Sequence, residues 1–488
     1  MGEPLIITSP TTGADWELVI GLEVHAELAT ATKMFSGAPN VFGGEPNTNI
    51  DPVTLGLPGS LPVVNHRAVE LGIRVGLALN CTVARSTFAR KNYFYPDMPK
   101  DYQISQFDEP LNLDGYLELP DGQRAGIERA HLEEDTGKST HQGGDGRIHG
   151  ADSSLVDYNR AGVPLIEIVG RPDLTSPEQA RAYVSELRAI LVAIGASDGK
   201  MEEGSMRVDA NVSVRLVGES ELGTRCEVKN VNSLRSLVRA IDYEARRQVD
   251  VIESGERVHQ ETRHWDEEHG RTRAGRSKEG AEDYRYFLEP DLVVLDPSAE
   301  WIESIRSELP MLPAERRVRL AAAAGLTPAE VALHVERDFD GFALAAIEAG
   351  ADPGRAMTHI EHNLTGATAA DVDVTQFAKL VELEVTGALT ATQAKQVLTE
   401  MVETGESPEA IAKERGFEAM DSAYLESIVD EAIAANATEW GEFVAGDDAK
   451  RGKLTGFFVG QVMRSSQGKA DGKAVTALLN QRRTEAGS

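Results

Sequence analysis

Residues 206–215 read MRVDANVSVR, in which Met206, Val208, Ala210, Val212 and Val214 alternate without a break with Arg207, Asp209, Asn211, Ser213 and Arg215. Successive side chains of a strand leave opposite faces, so this stretch predicts a strand with one face on a core and the other polar. Residues 16–28 repeat the pattern. Trp16, Leu18, Ile20, Leu22, Val24 and Ala26 share one face, and Glu17, Glu23, His25 and Glu27 share the other. Alternation of this kind is the mark of an antiparallel sheet with one face on the core. Helical patterns interrupt the strands at 64–79 and at 176–194, where Ser176-Pro177 supplies an N-cap and a first-turn proline. Mixed order without strict strand–helix alternation predicts an α+β domain over residues 1–296.

Beyond Asp296 the texture changes to helices rich in Ala, Glu and Leu. Thr327-Pro328-Ala329-Glu330 reads as a capping box with proline at the first helical position, and Ser407-Pro408 repeats the cap-plus-proline signal. Gly387, Gly405 and Gly416 punctuate short helices. We expect an all-α domain at 297–404 and a small helical tail domain at 405–488. The run 141–150, HQGGDGRIHG, reads as a Gly-rich loop.

With 488 residues, 41% apolar and 26% charged, the chain suits a globular protein of two or three domains. No apolar run is long enough to span a membrane, and no secretory leader is evident at the N-terminus. The two cysteines, Cys81 and Cys226, lie far apart; they make no disulfide framework and point to a reducing cytoplasm. A net charge of −30 opposes general nucleic-acid binding. Residues 449–488, however, hold eight basic and two acidic residues, a local charge of +6 that leaves −36 on the rest. Such a tail could hold RNA, or it could be an ordinary solvated helix face.

Chemistry concentrates in acids placed where acids are costly. Glu23 and His25 project from one strand face, Glu133, Glu134 and Asp135 are consecutive, and Glu167 interrupts the aliphatic run Leu165-Ile166-Glu167-Ile168-Val169. Asp209 lies on the polar face of residues 206–215, with Arg207 on the same face and Lys229 further on. If these strands share a sheet, crowded carboxylates raise one another's pKa, and a divalent cation resolves the repulsion. Oxygen-rich sites with few nitrogens suit magnesium. The alternative is a solvent-facing sheet surface. LEEDTGKS lacks the first glycine of a phosphate-binding loop, which is Leu132 here, and GGDG does not extend to a dinucleotide fingerprint. No amidase signature and no nucleophilic cysteine setting is present.

Several blocks together resemble the B subunits of the glutamyl/aspartyl-tRNA amidotransferases: VIGLEVHAEL (19–28), RKNYFYPDMPKDYQISQFDEP (90–110), HLEEDTGKSTH (131–141), YNRAGVPLIEIV (158–169), KMEEGSMRVDANVSVR (200–215) and DYRYFLEPDL (283–292). The tail block GFFVGQVMRSSQGKA (456–470) also resembles that family. The resemblance implies a cradle domain with an active site like that of glutamine synthetase, then a helical domain and a helical tail. It further implies that ATP and magnesium serve to phosphorylate the side-chain carboxylate of Glu or Asp esterified to tRNA. Ammonia from a partner amidase, the A subunit, then displaces phosphate, and a small C subunit completes the assembly.

By motif position the resemblance marks Glu134, Glu167 and His25 as catalytic and Glu23, His25, Glu134 and Glu167 as metal ligands. Glu133, Asp209, Lys229 and Arg207 fall to the nucleotide, Lys91 to the ammonia tunnel, and Lys450, Arg451 and Lys453 to tRNA. Where many relatives carry two zinc-binding Cys pairs, this chain has Ser36, Ala38, Asp51 and Thr54, so no zinc is expected. A tryptophan motif expected near 358–363 is also missing. Two competing readings are an independent ammonia ligase acting on a small carboxylate and a noncatalytic tRNA-binding scaffold.

Overall fold

The computed structural model describes residues 4–143, 151–275, 284–365, 372–417, 422–466, 470 and 472–486. Most of the Gly-rich loop (144–150), Asp283, and Lys469 and Asp471 of the basic tail lie outside these residues.

Strand formation follows the alternation read from the sequence. In chain order the strands are β1 (Ile6–Thr8), β2 (Asp15–Glu27), β3 (Thr82–Val83), β4 (Ala89–Asn92), β5 (Tyr102–Ser105), β6 (Asn112–Glu118), β7 (Arg124–Glu134) and β8 (Lys138–Gln142). Then come β9 (Ser153–Asp157), β10 (Pro164–Gly170), β11 (Met206–Leu216), β12 (Cys226–Val231), β13 (Thr262–Asp266), β14 (Arg271–Ala274) and β15 (Phe287–Leu288). Thirteen of these join one sheet with the central order β12-β11-β2-β10-β7-β5-β4, and β8 and β9 form a separate hairpin. The ladders are antiparallel except between β12 and β13. The long strands β2 and β11 pair over eleven residues, from Met206 opposite Ala26 to Leu216 opposite Trp16. That register keeps the two apolar stripes on one face.

Three helices bury this face: α1 (His66–Ala78), α2 (Pro177–Ala193) and α3 (Leu234–Glu253). Each begins at a side-chain cap. Asn65 accepts from Arg67 and Ala68 N–H, Ser176 from Gln179 and Ser233 from Ser236. Such caps satisfy amide groups that lack a partner within the helix. Ile20, Leu22, Val24, Ala26, Ile166, Ile168 and Leu132 meet Leu71, Ile73, Leu187 and Ile241 in one core. Gly72 of α1 allows a close approach there, since a Cβ would stand 3.0 Å from a methyl of Leu132. The helix α4 (Ala299–Ser307) belongs to the same unit, with Trp301 stacked on His66 at 4.9 Å.

The chain divides into two compact units, residues 1–316 and 317–488. The second unit is helical among its described residues and has two cores, one running from Leu320 to Ile411 and one from Leu425 to Leu479. Ser407 caps the helix Pro408–Glu414 as expected. Thr327 and Glu330 do exchange capping hydrogen bonds, but they close a turn, and the helix begins only at Ala332. Proline at 328 starts a turn as readily as a helix, because both accept its fixed φ. Among the described residues no helix is long and apolar enough to cross a membrane.

Positions 36, 38, 51 and 54 converge in the irregular segment before α1. The Ser36 hydroxyl lies 3.4 Å from that of Thr54 and accepts from Ala38 N–H, and Asp51 accepts from Thr54 N–H at 2.8 Å. Burial opposes charge on Asp51, but these hydrogen bonds and nearby Lys33 keep its carboxyl below the usual range. Lys33 is itself buried, with its ammonium bonded to the carbonyls of Ala161 and Tyr158.

Candidate active site

The face of the sheet opposite the helices carries the polar partners of the alternating strands. Arg207 on β11, His25 on β2, Glu167 on β10 and His131 on β7 stand opposite one another in a single row. Glu133 follows His131 by two residues and so shares its face. His25 Nε2 lies 3.5 Å from Glu167 and 3.9 Å from Glu133, and His131 Nε2 makes the same two approaches from the other side. These side chains are between 4 and 19% exposed, a degree of burial at which charge must be shared.

The four groups divide the charge unequally. Burial alone would lower the His25 pKa, but its bond to Glu167 and the charges of Glu167, Glu133 and Asp209 raise it to about 9. Burial opposes ionisation of Glu167, and the two flanking imidazoles, of which His25 carries the proton, hold it well below the usual range. Glu133 is pushed up to about 7, first by burial and then by the Glu167 charge. Burial holds His131 down at about 4, so its ring is neutral near pH 7, and its Nδ1 has no hydrogen-bond partner among the described residues. One ligand atom each from His25, Glu133 and Glu167 lies within 4.8 Å of the others. Two carboxylates and one imidazole in that arrangement leave room for waters and phosphate oxygens around a hard divalent cation.

Other expected residues flank this centre. Along the strands, Glu23 accepts from Asn211 Nδ2 at 2.9 Å, and Asp209 pairs with Lys229 at 2.6 Å, which also reaches Glu227. Arg207 is bound to buried Asp135 at 2.8 Å, and Arg160 approaches the same carboxylate oxygen. Burial and the Asp135 charge push Glu27 up to about 7. Lys91 on β4 lies over the Tyr284 ring at 4.7 Å, and its charge is felt at Glu133, Glu167 and His131.

Glu134 is not brought into the cluster. It follows Glu133 directly, so it emerges on the helix-covered face with Leu132. There its Oε1 meets the Lys100 ammonium at 2.5 Å and accepts from Ile104 N–H at 2.9 Å. In the second unit, Lys450, Arg451 and Lys453 lie in the first turns of the helix Asp448–Ser465, where exposed Lys450 pairs with Glu442.

His131 and Asp135 were not singled out from the sequence as separate site residues. The signal for His131 is its parity with Glu133 in HLEED; Asp135 stands out in sequence as the third of three consecutive acids, but its pairing with Arg207 and Arg160, distant in sequence, does not.

Comparison with known proteins places the chain in a family. A family model described as the GatB/GatE catalytic domain matches residues 18–303, and one described as the GatB domain matches residues 355–482. The chain is 49% identical to the B subunit of the aspartyl/glutamyl-tRNA(Asn/Gln) amidotransferase of Corynebacterium efficiens, over 95% of this chain and 96% of the relative. It is also 49% identical to that of Thermobifida fusca (96% of this chain, 94% of the relative) and 50% identical to that of Salinispora arenicola (96% of both). The chain belongs to this family of amidotransferase B subunits.

Proposed function

We propose that this chain carries out the ATP-dependent step of tRNA-dependent amidation, converting the side-chain carboxylate of Glu or Asp esterified to tRNA into its amide. The observation that supports the reading most directly is the His25–Glu133–Glu167 cluster on a sheet face that the family model covers.

A carboxylate is a poor acyl donor, because its leaving group would be oxide. Transfer of the γ-phosphoryl group breaks the bond to ADP and forms a bond to the carboxylate oxygen. Ammonia then attacks the carbonyl carbon, phosphate leaves with the electron pair, and the nitrogen loses a proton. Once an incoming cation displaces the His25 proton, His25, Glu133 and Glu167 would fit a magnesium ion. When bound, the ion would offset the charge of the transferring phosphoryl group.

This chain's own residues then have separate tasks. Glu167 holds His25, and His131 presses on both carboxylates from the far side, which fixes the direction of the ligand atoms. The Asp209–Lys229 pair and Arg207 border the space for the nucleotide. Lys91, clamped on Tyr284, lies beside the cluster where ammonia would arrive. Glu134 ties β7 to β5 and to Lys100, and so keeps Glu133 in place. The basic helix of the tail would meet tRNA phosphates. Ammonia would come from the partner amidase, with a third, small protein completing a cytoplasmic complex, and the active site would resemble that of glutamine synthetase.

The test is His25→Ala in the assembled complex, read as ATP hydrolysis that depends on misacylated tRNA with ammonium salt as nitrogen source. Hydrolysis should fall at least a hundredfold, with tRNA affinity unchanged. A near-normal rate removes His25 from the centre. Stimulation by free glutamate without tRNA would instead make the chain a small-carboxylate ligase.

A further inference from the structure

We propose that Glu27 is a specificity-determining residue that binds the α-ammonium group of the amino acid esterified to tRNA. The proposal rests on the reaction set out above. Glu27 is the last residue of β2 and follows His25 by two, so both side chains leave the same sheet face, about 7 Å apart along the strand. Across the sheet it faces Leu165, and Glu133 lies beyond Leu165 on β7. The carboxylate therefore borders the His25–Glu133–Glu167 centre without belonging to it.

Its surroundings are unbalanced. Arg207 and Arg160 both reach this corner, and both are directed at buried Asp135, at 2.8 and 3.5 Å. Asp198 adds a further negative charge. Glu27 itself is half-buried and makes no side-chain hydrogen bond or ion pair among the described residues. Asp135 thus takes both guanidinium groups and Asp198 has Lys200 at 3.9 Å, which leaves Glu27, two residues along the strand from His25, as the acid of this corner without a cation among the described residues. A structural carboxylate would have taken an arginine, as Asp135 has. A half-buried acceptor without a donor costs free energy until a ligand supplies one.

The substrate carries a suitable donor at the right reach. With its side-chain carboxyl at the centre, the α-nitrogen lies roughly 4 to 5 Å away, three bonds off in aspartate and four in glutamate. An N–H···O contact of about 2.9 Å extends that to roughly 7 to 8 Å, close to the strand spacing between His25 and Glu27. Phosphates, riboses and neutral bases offer no cation, so this ammonium is the one positive group of an aminoacylated 3′ end. A carboxylate placed to receive it also distinguishes charged tRNA from deacylated tRNA.

The experiment uses the complete complex containing this chain, wild type or Glu27→Gln, at saturating ATP and ammonium. Each is given misacylated tRNA with its α-amine free or acetylated. In the wild type, acetylation should raise KM for tRNA roughly ten- to a hundredfold, the range expected for one charge-assisted bond. Glu27→Gln should raise KM comparably for the free amine and add little for the acetylated substrate, with kcat and KM for ammonium unchanged. The proposal is overturned by equal Glu27→Gln penalties on both substrates, or by a wild type indifferent to acetylation. A defect confined to KM for ammonium would also overturn it, since Glu27 would then serve the nucleophile. Failure of the wild type to amidate either substrate is a separate result, which overturns the reaction itself.

Discussion

The neighbours Glu133 and Glu134 offer a direct test of how the sheet sorts its acids. Glutamine has nearly the same shape as glutamate, so Glu133→Gln and Glu134→Gln change charge with little change in packing. Glu134 and Lys100 are 4 and 6% exposed at the side chain and 2.5 Å apart. Removing one member of such a pair strands a buried ammonium, which costs about 3 to 5 kcal/mol. The amide oxygen introduced by Glu134→Gln could still accept from Ile104 N–H, which favours the lower end, about 3 kcal/mol. In a unit of 316 residues that corresponds to a fall of roughly 4 to 5 °C in Tm. Among the described residues Glu133 has no lysine or arginine at salt-bridge distance, only two imidazoles at 3.9 Å, and burial beside Glu167 already disfavours its charge. Glu133→Gln should therefore leave stability within about 1 kcal/mol of wild type. Activity should move the other way: Glu133→Gln should lose at least a hundredfold in tRNA-dependent ATP hydrolysis, and Glu134→Gln less than tenfold below its melting range. Thermal melts and ATPase rates on the same preparations measure both. A stable but inactive Glu134→Gln beside an active Glu133→Gln would refute the assignment of faces.

Two further outcomes are expected. Neutralising Lys450, Arg451 and Lys453 together should flatten the salt dependence of tRNA binding by up to about three units of slope, one for each lost phosphate contact, with melting unchanged; an unaltered slope makes the tail a solvated helix face. Burial lowers the Lys33 pKa to about 8 despite Asp51 and Glu134 nearby. The unfolded chain then holds the extra proton between about pH 8 and 10.5, so wild-type stability should rise across that window relative to Lys33→Met. Urea titrations at pH 7.5 and 9.5 measure the difference, and parallel pH profiles would contradict it.

Much of the fold was legible because β2 and β11 write their two faces in strict alternation, and because Ser176 and Ser407 announce their helices. The cluster was legible in part for the same reason: His25, Glu133 and Glu167 are acids or imidazoles on otherwise well-patterned strands. What local pattern could not supply was register. His131 joins the centre because β7 sets it opposite Glu167, a pairing fixed by the β10–β7 ladder. The consecutive acids Glu133 and Glu134 look equivalent in a motif, yet strand geometry separates them. Lys100, the residue that neutralises Glu134, comes from a loop 34 positions earlier. Glu27 was visible as a polar-face residue, but its lack of a partner among the described residues depends on Arg160 and Arg207 both turning to Asp135.

The central claim is that the carboxylate held at this cluster becomes an acyl phosphate before ammonia attacks. Misacylated tRNA bearing 18O in both side-chain carboxylate oxygens, turned over by the complete complex with ATP and ammonium, tests it most directly. One labelled oxygen should appear in inorganic phosphate for each amide formed, because the oxygen that accepts the phosphoryl group leaves with it. Amide formation accompanied by unlabelled phosphate would mean that ATP is spent elsewhere, and the reading of the His25–Glu133–Glu167 centre as a carboxylate-phosphorylating site would be wrong.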